Sequence, residues 1–160
     1  MEGQQLEVPV HRVDRAIYAM PAFATLRVRD LAVSRAWYRS LGFVELAVMP
    51  PGSAEPSVVH LRRYRYQDLL LVPGEPDLAG GGATRISFAH TGPLRELDDM
   101  AERLSALGSG RVDGPSRTPW YAVELVAHDP DGHVVFLTAR SDDPPPHWWI
   151  DEVEASVQPS

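Results

Sequence analysis

Cysteine and lysine are both missing from this 160-residue chain. Without cysteine there is no disulfide, no thiolate zinc site and no cysteine nucleophile. All fifteen basic residues are arginine, and proline also occurs fifteen times, a pairing that points to GC-rich bacterial coding rather than to a mechanism. No apolar run approaches the ~20 residues of a membrane span. The opening residues MEGQQLEVPV lack a basic start followed by an apolar core, so no secretory signal is read there and a cytoplasmic location is expected. No basic stripe marks a nucleic-acid face. The net charge of −7 gathers at one end. Residues 142–160 hold five acids and no arginine, and the remainder holds 17 acids against 15 arginines. The acidity belongs mainly to a tail and says little about a pocket.

A hydrophobic content of 44% suffices for one domain or two small modules around a shared core. Residues 1–21 show no clean period and read as an extension, with Met20 as an alternative start. From Phe23 the pattern sharpens. FATLRV reads as a strand, and Asp30 as the N-cap of a helix over LAVSRAWYRSL. Val33, Ser34, Trp37, Tyr38 and Leu41 share one face of it at helical spacing, and Gly42 stops it. FVELAVM, SVVHLRRY and YQDLLLV follow as three strands, which makes β-α-β-β-β over residues 22–73. Residues 74–82 are rich in Gly and Pro and read as a linker. Their GGG run is no phosphate loop, because no Gly-Lys-Ser/Thr follows.

The order then repeats over residues 83–140. TRISFAH is a strand. Pro93 suits a first helical turn capped by Thr91 or Gly92, and Leu94, Leu97, Ala101, Leu104 and Leu107 form a stripe that ends at Gly108. A short strand is expected near Arg111–Val112. WYAVELVAH and HVVFLTA then flank the turn Asp129-Pro130-Asp131-Gly132. A repeat of this size predicts two similar modules packed together. Residues 141–160 form an acidic tail containing PPPHWWI. Its apolar Trp148-Trp149-Ile150 either docks on its own domain or covers a cup or a partner subunit.

The stretch D-L-A-V-S-R-A-W-Y-R-S-L-G-F (30–43) resembles the first-module signature of the vicinal oxygen chelate superfamily, the glyoxalase, bleomycin-resistance and dioxygenase group. H-D-P-D-G-H-V-V-F-L (128–137) resembles the strand-turn-strand that closes its second module. The resemblance implies an α+β fold of two tandem βαβββ modules whose sheets curl into a cup. Metal-using members hold a divalent ion there with four ligands, to polarise neighbouring substrate oxygens. Carried over by motif spacing, those positions fall on Phe23, Leu70, Arg85 and Phe136. Two phenylalanines and a leucine offer no donor atom, and an arginine repels a cation. The resemblance therefore implies neither glyoxalase nor extradiol dioxygenase chemistry, and no metal or other cofactor. P-W-Y-A-V-E-L-V-A-H-D-P-D-G (119–132) is similar to a run in the metal-free bleomycin-resistance proteins, where the Trp helps form the drug groove. This brings in Trp120 and Glu124, with one residue too many between Trp120 and Asp129.

Phe23 and Phe136 are either core or a stacking surface for a planar ligand. Arg85, expected at a buried strand position, either pairs with Asp68 or Glu124 or binds a ligand carboxylate or phenolate. Strand alternation puts Thr25, Ser87 and Thr138 on the faces of Phe23, Arg85 and Phe136. His128 and His133 read as a solvated pair flanking a turn rather than as metal ligands, and His60 and His90 have no partner at useful spacing. No nucleophile-elbow motif supports a serine hydrolase. The expectation is a homodimeric, metal-independent binding protein that sequesters an aromatic or peptide-like natural product. The alternative is a metal-independent enzyme on the same cup, with Arg85 stabilising an enolate or phenolate and Glu124 moving a proton. A third reading, an assembly or regulatory module, has no positive feature.

Overall fold

The computed structural model describes residues 13–77 and 84–157. The Gly-rich run 80–82 and residues 1–12 lie outside them. The order β-α-β-β-β runs twice. The first unit is β1 (Phe23–Val28), α1 (Leu31–Ser40), β2 (Val44–Met49), β3 (Val58–Arg63) and β4 (Gln67–Pro73). The second is β5 (Arg85–His90), α2 (Arg95–Leu107), β6 (Arg111–Arg117), β7 (Ala122–His128) and β8 (Val134–Arg140). Each unit makes a four-stranded mixed sheet, ordered β1-β4-β3-β2 and β5-β8-β7-β6. In each, the first strand pairs parallel with the last and the rest pair antiparallel. Among the described residues no helix is long and apolar enough to cross a membrane.

Local chemistry sets the helix ends. Asp30 caps α1 by accepting the Val33 N–H at 3.0 Å. Gly108 closes α2 in the left-handed conformation. α2 begins at Arg95, two residues past Pro93, and no side chain caps it, so neither Thr91 nor Gly92 serves. The buried face of α1 is Ser34, Trp37 and Tyr38, joined by Leu41, while Val33 turns outward. On α2 the buried residues are Leu97, Met100 and Leu104, and Leu107 is exposed. β6 is longer than expected, running seven residues to Arg117.

Both sheets give one face to a single core. Leu26, Val28, Leu61, Leu69 and Leu71 come from the first, and Leu125, Ala127, Val135 and Leu137 from the second. Trp37 and Tyr38 meet edge to face at 4.8 Å, and Phe43 reaches Phe88 of the other unit at 5.9 Å. Such pairs add ~0.5–1.5 kcal/mol beyond area burial. At Gly110, with φ +70°, a Cβ would lie 2.4 Å from the His128 carbonyl oxygen and 2.7 Å from Trp37 Nε1. Glycine is required there because the α2–β6 connection passes directly under the α1 tryptophan.

Reciprocal clasps join the two units. The β7–β8 turn reaches back to the first unit. Tyr38 Oη donates to Asp129 Oδ2 at 2.8 Å, and Asp131 accepts from the Arg29 N–H at 3.0 Å and from Ser34 Oγ at 3.4 Å. His133 Nε2 stands 2.8 Å from the Arg27 carbonyl oxygen. The end of β3 does the same in the other direction. Buried Arg63 donates to the Ala89 carbonyl and contacts the His90 ring, which also meets Glu96 at 3.4 Å. Burial pushes the Arg63 guanidinium down to about 10. The expectation of a solvated His128–His133 pair is thus wrong for His133, which is buried. His60 and His90 have partners that sequence spacing does not reveal. His128 pairs instead with Arg111 and Asp113.

Candidate ligand face

Strand alternation decides the site. Since Leu26, Val28, Leu69 and Leu71 point into the core, their neighbours Phe23, Thr25, Arg27, Asp68, Leu70 and Val72 occupy the opposite, outer face. Three rows cross this face in register: Phe23–Asp68–Arg62, Thr25–Leu70–His60 and Arg27–Val72. In the second sheet Ile86, Leu125, Val135 and Leu137 pack on the core, so Arg85, Ser87, Glu124, Val126, Phe136 and Thr138 share the outer face.

Apart from Arg62, Asp68 and His60, which are buried, the residues named on these outer faces are exposed or half-buried. Phe23 is 53% exposed, which removes the reading of it as core within one chain. Arg85 is also exposed, contrary to the expected burial, and it pairs with neither Asp68 nor Glu124. Its guanidinium carbon lies 5.0 Å from the centroid of the Phe136 ring, a cation–π contact. Asp68 is occupied by Arg62 at 2.6 Å and His60 at 2.9 Å. Glu124 accepts from Thr138 Oγ1 at 3.0 Å. Phe136 and Glu124 are half-buried, and Leu70 and Thr138 likewise. Trp120 is not on a strand. It sits exposed in a turn closed by the Thr118 N–H to the Ala122 carbonyl, and β7 starts two residues later.

The structure therefore places Phe23, Thr25 and Leu70 together on one sheet, and Arg85, Ser87, Glu124, Phe136 and Thr138 together on the other. Among the described residues no hydrogen bond, ion pair or ring contact joins the two sets. At the seam between them is a cleft of about 180 Å³, lined by Thr25, Arg27, Asp77, Thr84 and His133. It is below the ~300–1,000 Å³ of a drug-sized pocket. The acidic tail forms a helix, α3 (His147–Ser156), which the sequence reading did not expect. It has no buried residue, and Trp149 meets Tyr121 edge to face at 5.2 Å. Trp148 is exposed.

A tandem pair of βαβββ units with ligand positions at the starts of β1 and β5 and on β4 and β8 defines the vicinal oxygen chelate architecture. The family model for the Glyoxalase/Bleomycin resistance protein/Dioxygenase superfamily matches residues 20–137, and the chain belongs to that superfamily. No curated protein matches it in sequence. Among solved structures it is similar to a glyoxylase/bleomycin resistance protein/dioxygenase domain from Frankia sp., with TM-score 0.60, 20% identity, and 81% of this chain and 96% of that one covered. It is also similar to a bleomycin-binding protein complexed with bleomycin, with TM-score 0.52, 20% identity and 75% and 98% covered. A third is an antibiotic binding protein from a Streptomyces species, with TM-score 0.53, 24% identity and 74% and 93% covered. At these identities the likeness shows the fold.

The superfamily's divalent metal does not fit this chain. At the four positions that the resemblance implies, Phe23, Leu70 and Phe136 supply no donor atom and Arg85 carries a positive charge. Among the described residues no group of three or more His, Cys, Asp or Glu is arranged to hold an ion.

Proposed function

We propose that this chain is a metal-independent binding protein that sequesters a compact aromatic, anionic natural product between outer sheet faces brought together in a homodimer. The observation that carries this is Arg85 over Phe136, a cation held on an aromatic ring at the surface, with Ser87 and the Thr138–Glu124 pair beside it. An aromatic ligand stacks on such a ring, and its carboxylate, phenolate or sulfonate meets the guanidinium. One chain offers only half of such a site. Apposing the outer faces of two copies buries Phe23 and encloses the ligand. The deciding test is titration with anilinonaphthalene sulfonate, an anionic aromatic probe, followed by mass analysis of a natural-product panel after incubation. A binder saturates at a fixed ratio and returns its ligand unchanged. Consumption of a panel member by substoichiometric protein favours an enzyme instead, with half-buried Glu124 as the proton-moving group.

Two expectations accompany this reading. Sedimentation equilibrium at micromolar concentration gives a dimer, and a monomer there removes the apposed-face site. Elemental analysis of dialysed protein finds far less than one transition metal per chain. A retained content of about one Zn, Ni, Fe or Mn overturns the assignment of Phe23, Leu70, Arg85 and Phe136.

A further inference from the structure

The outer faces of the two sheets differ at their first rows. In the second sheet that row is open at Arg85. In the first, Arg62 and Asp68 are fully buried although they point away from the core. Residues 13–20 cover them. Arg62 Nη1 donates to the carbonyls of Asp14 at 2.8 Å and Ala16 at 2.5 Å. Nη2 donates to those of Ile17 at 3.0 Å and Ala19 at 3.2 Å. Nε is held by Asp68, which His60 also contacts. A fully buried guanidinium whose donors are met by four carbonyls of one short segment fixes that segment's path, because releasing it strands both the cation and its carboxylate in a site built around them. Arg65 adds a longer ion pair to Asp14 at 3.7 Å.

The family match begins at residue 20, so this strap precedes the superfamily domain. It lies over the Asp68–Arg62 end of the first row and leaves Phe23 and Thr25 exposed and Leu70 half-buried beside it. Residues 15–19 of it are exposed, Tyr18 to 84%, while Val13, Asp14 and Met20 are half-buried.

We infer that residues 13–20, pinned by Arg62, form an end wall on the ligand face of the first sheet and restrict it to compact ligands, excluding extended ones. Arg62 is then a positioning residue acting through the strap. This rests on the proposal that the outer face binds ligand.

The test compares the full chain, Arg62→Gln, and a chain starting at Met20, which lacks the wall but keeps all family-matched residues. In the last, Arg62 becomes open to water, so its charge does not oppose folding. Two readouts separate the parts of the inference. Trypsin cleavage after Arg15, followed by mass, reports pinning. It is expected to be slow in the full chain and about tenfold or more faster in Arg62→Gln. Binding of bleomycin, an extended ligand, relative to anilinonaphthalene sulfonate, a compact one, reports the wall. The ratio of affinities is expected to shift toward bleomycin by about tenfold in both variants, with the compact probe changed by less than about threefold. A merely structural role for Arg62 weakens both probes together and leaves the ratio alone. Cleavage after Arg15 as fast in the full chain as in Arg62→Gln overturns the pinning. A released strap with an unchanged ratio overturns the wall, while the ligand face stands if Arg85→Ala still weakens the compact probe. Failure of the full chain and both variants to bind either probe removes the ligand face and this inference together.

Discussion

Asp129→Ala is expected to lower the free energy of unfolding by about 3–5 kcal/mol, read as a fall in the urea midpoint at unchanged slope. Asp129 is buried and accepts three hydrogen bonds: from Tyr38 Oη at 2.8 Å and from the backbone N–H groups of Asp131 and His133, both at 2.9 Å. Alanine leaves all three donors without their acceptor, and the Tyr38 hydrogen bond is one of the links between the two units. Tyr38→Phe removes a single partner and is expected to cost less, about 1–3 kcal/mol. The acid limb adds a check on the same carboxylate. Burial raises the Asp129 pKa above 3.8, against the lowering effects of His133, Tyr38 and the two backbone N–H groups. The folded protein therefore keeps this proton to higher pH than the unfolded chain does. Where the folded state binds more protons, stability falls as pH rises, so this group's contribution declines from 3.8 up through its folded value. Asp129→Asn lacks that decline. Equal pH slopes for wild type and Asp129→Asn across this window overturn the burial of the charge.

The same turn shows what sequence can and cannot carry. Asp-Pro-Asp-Gly is legible as a turn because proline and glycine restrict the backbone locally. Nothing local says that Asp129 and Asp131 are buried, since their burial depends on Tyr38, Ser34 and Arg29 some ninety to a hundred residues away. The repeat, the helix stops at Gly42 and Gly108 and the face shared by Phe23 and Thr25 rest on local periodicity, and they appear as expected. Which face is core and which is open depends on how the two sheets pack. Hence Arg85 reads as buried from sequence and is found exposed. Met100 lies on the buried face of α2 three residues after Leu97 and four before Leu104, whereas Leu107, at the last position of the helix, is exposed. α3 escapes because its apolar residues Trp148, Trp149 and Ile150 are adjacent rather than spaced by a turn, a pattern that gives a weak amphipathic signal. The strap has no period at all. The sign of it in the sequence is Arg62 on a strand face, and that arginine gains meaning only once the four carbonyls around it are placed.

Arg85→Ala is expected to weaken anilinonaphthalene sulfonate binding by about 10- to 150-fold, the equivalent of ~1.5–3 kcal/mol for a charge-assisted hydrogen bond. Phe136→Ala is expected to weaken it comparably, through lost ring area and stacking. The two effects should not add. In the free protein Arg85 lies over the Phe136 ring, so removing either residue already alters the environment of the other. The double variant should therefore lose less than the sum of the single ones. Neither side chain is part of the core, and Arg85 is exposed, so the variants are expected to unfold within about 1 kcal/mol of wild type. That separates a binding role from a structural one. A salt titration distinguishes the two residues. The Arg85 contribution falls as ionic strength rises from 0.05 to 0.5 M, an interval over which the screening length shortens about threefold, whereas the Phe136 contribution holds. Folded variants that bind the probe as tightly as wild type would remove Arg85 and Phe136 from the ligand face, and with them the observation on which the binding function rests.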